Sequence, residues 1–356
     1  MSIYILNYLS IPVYTSLLRD KRKAILLVSI QMFLILAFRS DTLGLDLENY
    51  NNYYNIWSQY TFEEMISATR FAANHQVTYG LESGYVWLNW ICAKLGLSFH
   101  GYLVVHAAIC IFGMYYFLNK YAIDKSLALA IIISFGTFQT FFYLLRQDMA
   151  FVVLLFIIDS VKERRFPKFF CLWALAVLFH REVIPVILIY FLYNIQITPK
   201  TFLLVLAGLG IELVAIEILY NKIIYAFLVR IGKDSYFFGS FQMNNMMILM
   251  LLMFLCIFSL SFFKTVFKDM DYRVMFWMMA IGLAFEVLSL FVPVFSRVAI
   301  AVFFPFAIVL FADVIALCFD KYNTLMFNIT LYIFAFALYL YTLKGAAIVP
   351  YVSIFN

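Results

Sequence analysis

The sequence predicts an all-α polytopic membrane protein: about twelve transmembrane helices, with amphipathic helices in a long external loop. Three observations carry this prediction. Hydrophobic residues make up 65% of the chain and charged residues only 13%, with a mean hydropathy of +0.94. A soluble globular domain carries about 25% charge. Apolar runs recur along the whole length on the scale a bilayer demands, about 20 residues down to about 17, with shorter runs accommodated locally. Aromatic residues reach 20%, matching the belts that Trp and Tyr form at membrane interfaces.

In order, the apolar segments fall at roughly 3–18, 24–38, 99–118, 127–145, 147–161, 168–180, 183–196, 201–220, 245–263, 274–293, 298–318 and 324–343. The N-terminal MSIYILNYLSIPVY has no basic region and no small-residue cleavage site, so it reads as a retained first helix. Loop charge sets the orientation. The Arg19-Asp20-Lys21-Arg22-Lys23 run between the first two segments is expected on the cytoplasmic side. Alternation then places Lys120/Lys125, Lys162 to Lys168, Lys200, Lys264/Lys268/Arg273 and Lys321 on that side as well. Every strongly basic loop falls on one face without adjustment.

The external face receives two longer stretches, 39–98 and 221–244; the whole of 1–356 is otherwise one membrane domain. Tyr50, Tyr53, Tyr54 and Trp57 follow helical spacing, as do Val86, Trp90 and Ala93. Both sets read as amphipathic helices lying along the outer surface. Neither an internal repeat nor a low-complexity linker is visible.

Arginine on that external face carries the functional reading. Arg39, Arg146, Arg181 and Arg297 each lie at or beside the end of an apolar segment. A charged side chain near a membrane is costly, about 2.5–3.5 kcal/mol for Arg at a helix centre, so it pairs or binds something. Guanidinium is planar, permanently charged and suited to bidentate capture of phosphate. The cluster points to a phosphate-bearing lipid substrate.

Four constellations accompany it. Arg39, Asp41, Gly44, Asp46, Asn49 and Tyr50 crowd a membrane boundary; they read either as a snorkelling Arg with a capped turn or as a site. Glu82-Ser83-Gly84-Tyr85 precedes an amphipathic helix, so Glu82 either caps it or holds a sugar hydroxyl. Arg146-Gln147-Asp148 joins two apolar runs with almost no loop. Phe179-His180-Arg181-Glu182 repeats that plan, and His180, with an unperturbed pKa near 6.5, is a candidate proton acceptor. His75, His100 and His106 have no comparable company. Arg297 follows Pro293-Val294-Phe295-Ser296 with nothing acidic nearby in sequence, which makes it the strongest candidate for an anion contact.

Other chemistries find little support. The five cysteines, Cys92, Cys110, Cys171, Cys256 and Cys318, are scattered and read as small core hydrophobes. No His or Cys pair has metal-ligand spacing, so no metal is expected. No glycine-rich phosphate loop appears, and no soluble stretch is long enough for a nucleotide-binding domain. A net charge of +5 spread over short loops does not point to nucleic acid.

Taken in order, these marks resemble the EpsG-like family of Wzy-type bacterial polysaccharide polymerases. The matching positions are the Arg39 stretch with Gly44, Asp46, Asn49 and Tyr50, then Glu82-Ser83-Gly84-Tyr85 with Leu88-Asn89. Arg146-Gln147, His180, Arg297 and Val349-Pro350-Tyr351 complete the series. Leu45 separates Gly44 from Asp46 where the family has a compact Gly-(Thr)-Asp.

The resemblance implies a glycosyltransferase of GT-C-like layout in the bacterial cytoplasmic membrane, its active site facing outward. It would join undecaprenyl-diphosphate-linked oligosaccharide repeat units of an O-antigen, capsule or exopolysaccharide. No cofactor is implied, and flippase and chain-length regulator proteins are the expected partners besides membrane lipids. Arg297, Arg146, Arg39 and Arg181 would bind the diphosphate. His180, Asp46 and Glu82 compete as general base, and Tyr50, Asn49 and Tyr85 would meet sugar. A flippase of the same lipid-linked sugar is the alternative; pseudo-repeated halves would be expected of it, and none is seen.

Overall fold

The computed structural model describes residues 1–70, 78, 80–219, 243–344 and 346–355, and these residues are overwhelmingly helical. The second external stretch, 221–244, and His75 lie almost wholly outside them. Each of the twelve apolar segments coincides with a helix or with a broken run of helices. Among the described residues four are continuous, long and apolar enough to cross a membrane: Phe99–Tyr121, Met270–Ser289, Val294–Cys318 and Lys321–Lys344. With the composition, they make this an integral membrane protein.

The centre of the bundle is the Val294–Cys318 span, 94% buried over its apolar window, whereas Lys321–Lys344, at 11%, lies at the edge. Met270–Ser289 packs on Phe304–Cys318, and Lys125–Ser134 fits between that pair and Lys321–Lys344. On the other flank Leu145–Leu155 packs against both Phe99–Tyr121 and Phe166–Phe179. The exposed large hydrophobics, such as Leu204, Ile211, Phe254 and Ile333, form the apolar exterior expected of a protein whose solvent is lipid.

Several segments that read as single helices are irregular, and two of the breaks have a visible cause. The 127–145 run stops at Ser134, because Gly136 adopts φ +97°; a single turn, Thr137–Thr140, and an irregular stretch follow. Such backbone survives at membrane depth only when enclosed by protein, and Phe138, Thr140, Phe141 and Phe142 are all buried. The 183–196 run is a 3₁₀ helix over Arg181–Leu188, containing Pro185, with only a short α-helical turn after it. Within 298–318 a π-helical stretch, Ala299–Phe303, follows Arg297.

The 39–98 stretch contains the helices Leu47–Ser58, Phe62–Arg70 and Ser83–Lys94. Tyr50, Tyr54 and Trp57 of the first are buried, as are Tyr85, Val86 and Cys92 of the third. Their apolar faces pack on one another and on the bundle. Cys92, Cys110 and Cys256 are buried as expected, while Cys171 is exposed.

Polar contacts gather at two rims. At one, Lys120 pairs with Asp159, Lys162 with Asp271 (3.0 Å), and Asn328 donates to Asp124 (2.7 Å). These are the loops whose basic charge predicted a shared face. At the other rim the 346–355 segment returns to the exit of Lys21–Ala37. The Ser40 N–H donates to the Val352 carbonyl (2.8 Å) and the Ile354 N–H to that of Phe38 (3.0 Å). Tyr351 donates to the Ile35 carbonyl (3.0 Å), and Tyr4 to that of Ile348 (2.8 Å).

Candidate active site

Two close approaches build the second rim. Gly44 has φ +141°, and a Cβ there would lie 2.8 Å from the Phe142 carbonyl oxygen. Asp46, next but one, is also left-handed at φ +65° and opens the Leu47–Ser58 helix. Gly84 lets the start of Ser83–Lys94 touch the end of Phe166–Phe179; a Cβ there would lie 2.7 Å from the Leu178 carbonyl oxygen. Both glycines belong to the marked motifs, and both dock external helices onto the bundle.

The second approach places Glu82 beside His180. The Glu82 side chain is 8% exposed and pairs through Oε2 with Arg146 Nη1. Its Oε1 lies 3.6 Å from His180 Nδ1 and 3.8 Å from Arg181 Nε. His180 Nε2 faces Glu182 Oε2 at 3.0 Å, and Arg146 Nε donates to the Tyr50 hydroxyl (3.4 Å). Burial alone would raise the Glu82 carboxyl. The neighbouring His180 imidazole and the Arg146 guanidinium reverse that and hold it well below the usual carboxylate range. Tyr50 is pushed upward by burial despite Arg146.

Glu82, His180 and Glu182 each bring a ligand atom within 4.8 Å of the others, a three-donor arrangement that sequence spacing concealed because Glu82 is remote in the chain. The Arg146 and Arg181 guanidiniums already match the Glu82 and Glu182 carboxylates in number, so a further cation would leave the group with excess positive charge. The group is balanced as an ion-pair network.

A cavity of about 200 Å³ opens beside this network, lined by Thr69, Thr78, Glu82, Ser83, Val177 and Arg181 among others. A larger one, about 520 Å³, lies on the far side of the start of Leu145–Leu155. Its wall includes Gln139, Thr140, Tyr143, Leu144, Arg297 and Lys344. Arg297 and Lys344 are exposed, and neither has a carboxylate within 4.0 Å among the described residues. Leu144 lines the large cavity and Arg146 holds the carboxylate of the small one, so one helix start separates the two.

The structure therefore joins Glu82, His180, Arg146, Arg181, Tyr50 and Tyr85 and sets Arg297 across the divide. Arg39 joins neither cavity. It is fully buried, donates to the Phe141 carbonyl (3.1 Å) and lies over the Phe142 ring, 5.2 Å from its centroid. Asp46 and Asn49 are exposed and line neither cavity. His100, expected to be without company, pairs with Asp41 at 2.6 Å. Sequence reasoning missed Lys344, Gln139 and Thr140. The last two were legible as polar residues inside an apolar run, which is a functional flag in a membrane segment.

A family model, EpsG family, matches residues 22–353, nearly the whole chain. The chain belongs to the EpsG family. No curated protein and no solved structure matches it. The match spans both cavities, the Glu82–His180 network and the returning 346–353 segment, so these are features of one EpsG-family unit.

Proposed function

We propose that this EpsG-family protein is a polysaccharide polymerase. It transfers a growing glycan from a lipid diphosphate, of the undecaprenyl type, to a hydroxyl of another lipid-linked repeat unit. The observation that carries the reading is the large cavity, whose Arg297 and Lys344 have no carboxylate within 4.0 Å among the described residues. Uncompensated cations facing open space in a membrane protein suit a multiply charged anion.

The acceptor oxygen attacks the anomeric carbon as the bond from that carbon to the diphosphate oxygen breaks. The diphosphate leaves with the bonding pair, and direct displacement inverts the centre. Arg297, assisted by Lys344, stabilises the charge that grows on the leaving oxygen; losing one such contact costs about 10²–10³ in rate. Glu82 accepts the hydrogen bond of the attacking hydroxyl, and the proton passes to His180, which Glu182 braces. A base of this kind contributes about 10²–10⁴. Arg146 holds Glu82 in place, and Arg39 holds the 141–146 segment between the cavities. The twelve segments cross the cytoplasmic membrane, with both cavities on the outer side.

The test is a reconstituted assay supplied with lipid-linked repeat unit alone. Wild-type protein lengthens the lipid-linked glycan, and Arg297→Lys, which keeps the charge but loses the fork, slows growth about 10²–10³-fold at equal protein abundance. Wild-type chain length from Arg297→Lys would refute the diphosphate role.

A further inference from the structure

From the two-cavity arrangement we infer that the small cavity is an acceptor-sugar subsite, holding the terminal sugar of the incoming repeat unit, separate from the diphosphate cavity. The inference rests on the polymerase reading above and adds the place and residues of acceptor selection.

Charge divides the two cavities. The large one presents Arg297 and Lys344 with no carboxylate within 4.0 Å among the described residues. In the small one the Arg146 and Arg181 guanidiniums meet Glu82, and Glu182 stands in the same network against His180, so two carboxylates balance two cations and no excess charge invites a polyanion. What remains are hydrogen-bonding groups of neutral character: the Thr69 and Ser83 side chains beside the Glu82 carboxylate. Val177 and Leu178 form an apolar wall. Hydroxyls and one carboxylate around an apolar face match a sugar ring, which offers hydroxyls at its edge and C–H groups on its faces. At about 200 Å³ against about 520 Å³, the small cavity suits a single ring where the large one admits a diphosphate with its attached sugar.

Position supports the same division. Glu82 is both a wall of the small cavity and a partner of His180, so a sugar seated there presents its hydroxyl to the proton-accepting network. Thr69 Oγ1 donates to the Met65 carbonyl (2.8 Å) and accepts from Trp87 Nε1 (3.1 Å), which leaves it one acceptor lone pair for the cavity's contents. The specificity determinants are then Thr69, Ser83 and Val177, and the ligand class is a neutral saccharide.

Binding to protein in lipid nanodiscs separates the alternatives. The probes are the lipid-free oligosaccharide of one repeat unit, released from the host's own polymer, and farnesyl diphosphate. Val177→Phe, which fills the cavity, and Ser83→Ala, which removes a hydroxyl, should each weaken oligosaccharide binding about tenfold or more, the effect of one lost hydrogen bond or its steric equivalent. Both should leave the farnesyl diphosphate Kd and the unfolding midpoint unchanged. Arg297→Ala should do the reverse. Oligosaccharide binding unaltered in both cavity variants, with the midpoint retained, overturns the subsite. Farnesyl diphosphate binding indifferent to Arg297→Ala overturns the diphosphate reading instead, and the cavity variants still decide the subsite.

Discussion

At the scale of single residues, Glu82 concentrates more interactions than any other candidate. It faces two guanidinium groups and an imidazole while nearly excluded from solvent. Removing one partner of a buried pair costs about 3–5 kcal/mol, so Glu82→Gln should lower the unfolding midpoint at neutral pH. Because its carboxyl is held below the ordinary 4.5 in the folded protein, the stabilisation is complete above that value. It is lost as pH falls through the lower folded value. The midpoint gap between wild type and Glu82→Gln should therefore be constant above about pH 5 and narrow on acidification. A gap that widens in acid would contradict the pairing. The sequence showed Glu82, His180 and Arg146 as separate marks, and nothing in their spacing joined them. It ranked Arg39 as a phosphate ligand because its position at a segment end is the same whether the side chain faces a cavity or the interior.

Among the elements, the two marked glycines govern how the external helices sit. A side chain at Gly84 would strike the Leu178 backbone, which cannot yield as a flexible side chain can. Gly84→Val should push Ser83–Lys94 off the end of Phe166–Phe179, separate Glu82 from His180 and abolish polymer. Gly208→Ala is the control: nothing lies within 4 Å of its added Cβ, and Ala favours a helix by about 1 kcal/mol over Gly. Immunoblotting for abundance and gel analysis of polymer distinguish the two outcomes, and normal polymer from Gly84→Val would refute the docking account. Most helices were legible because apolar runs of this length allow few alternatives. The breaks at Gly136 and Pro185 were not, since apolar composition continues through both. Only the backbone conformation shows that these runs do not continue as regular α-helix.

For the whole molecule, the loops predicted to share the cytoplasmic side are joined by their own ion pairs at one rim. The motifs gather at the other. On a background lacking the native cysteines, Thr42→Cys and Ser353→Cys should react with a membrane-impermeant maleimide on intact cells, and Lys23→Cys and Lys268→Cys should not. Reaction of Thr42→Cys and Lys268→Cys from the same side would overturn the proposed topology. That these basic loops share one rim was readable because loop charge is a property of short stretches. The pairing of Arg297 with Lys344 was not, because it joins residues from different spans.

The returning 346–355 segment has a consequence for biogenesis. Tyr4 finds its acceptor at Ile348, and the exit strand of Arg39 finds its partner at Ser353. These contacts form only after translation has run more than three hundred residues beyond the Lys21–Ala37 helix. Closure of this rim therefore follows the enclosure of Arg39 by Phe141 and Phe142 and cannot precede it.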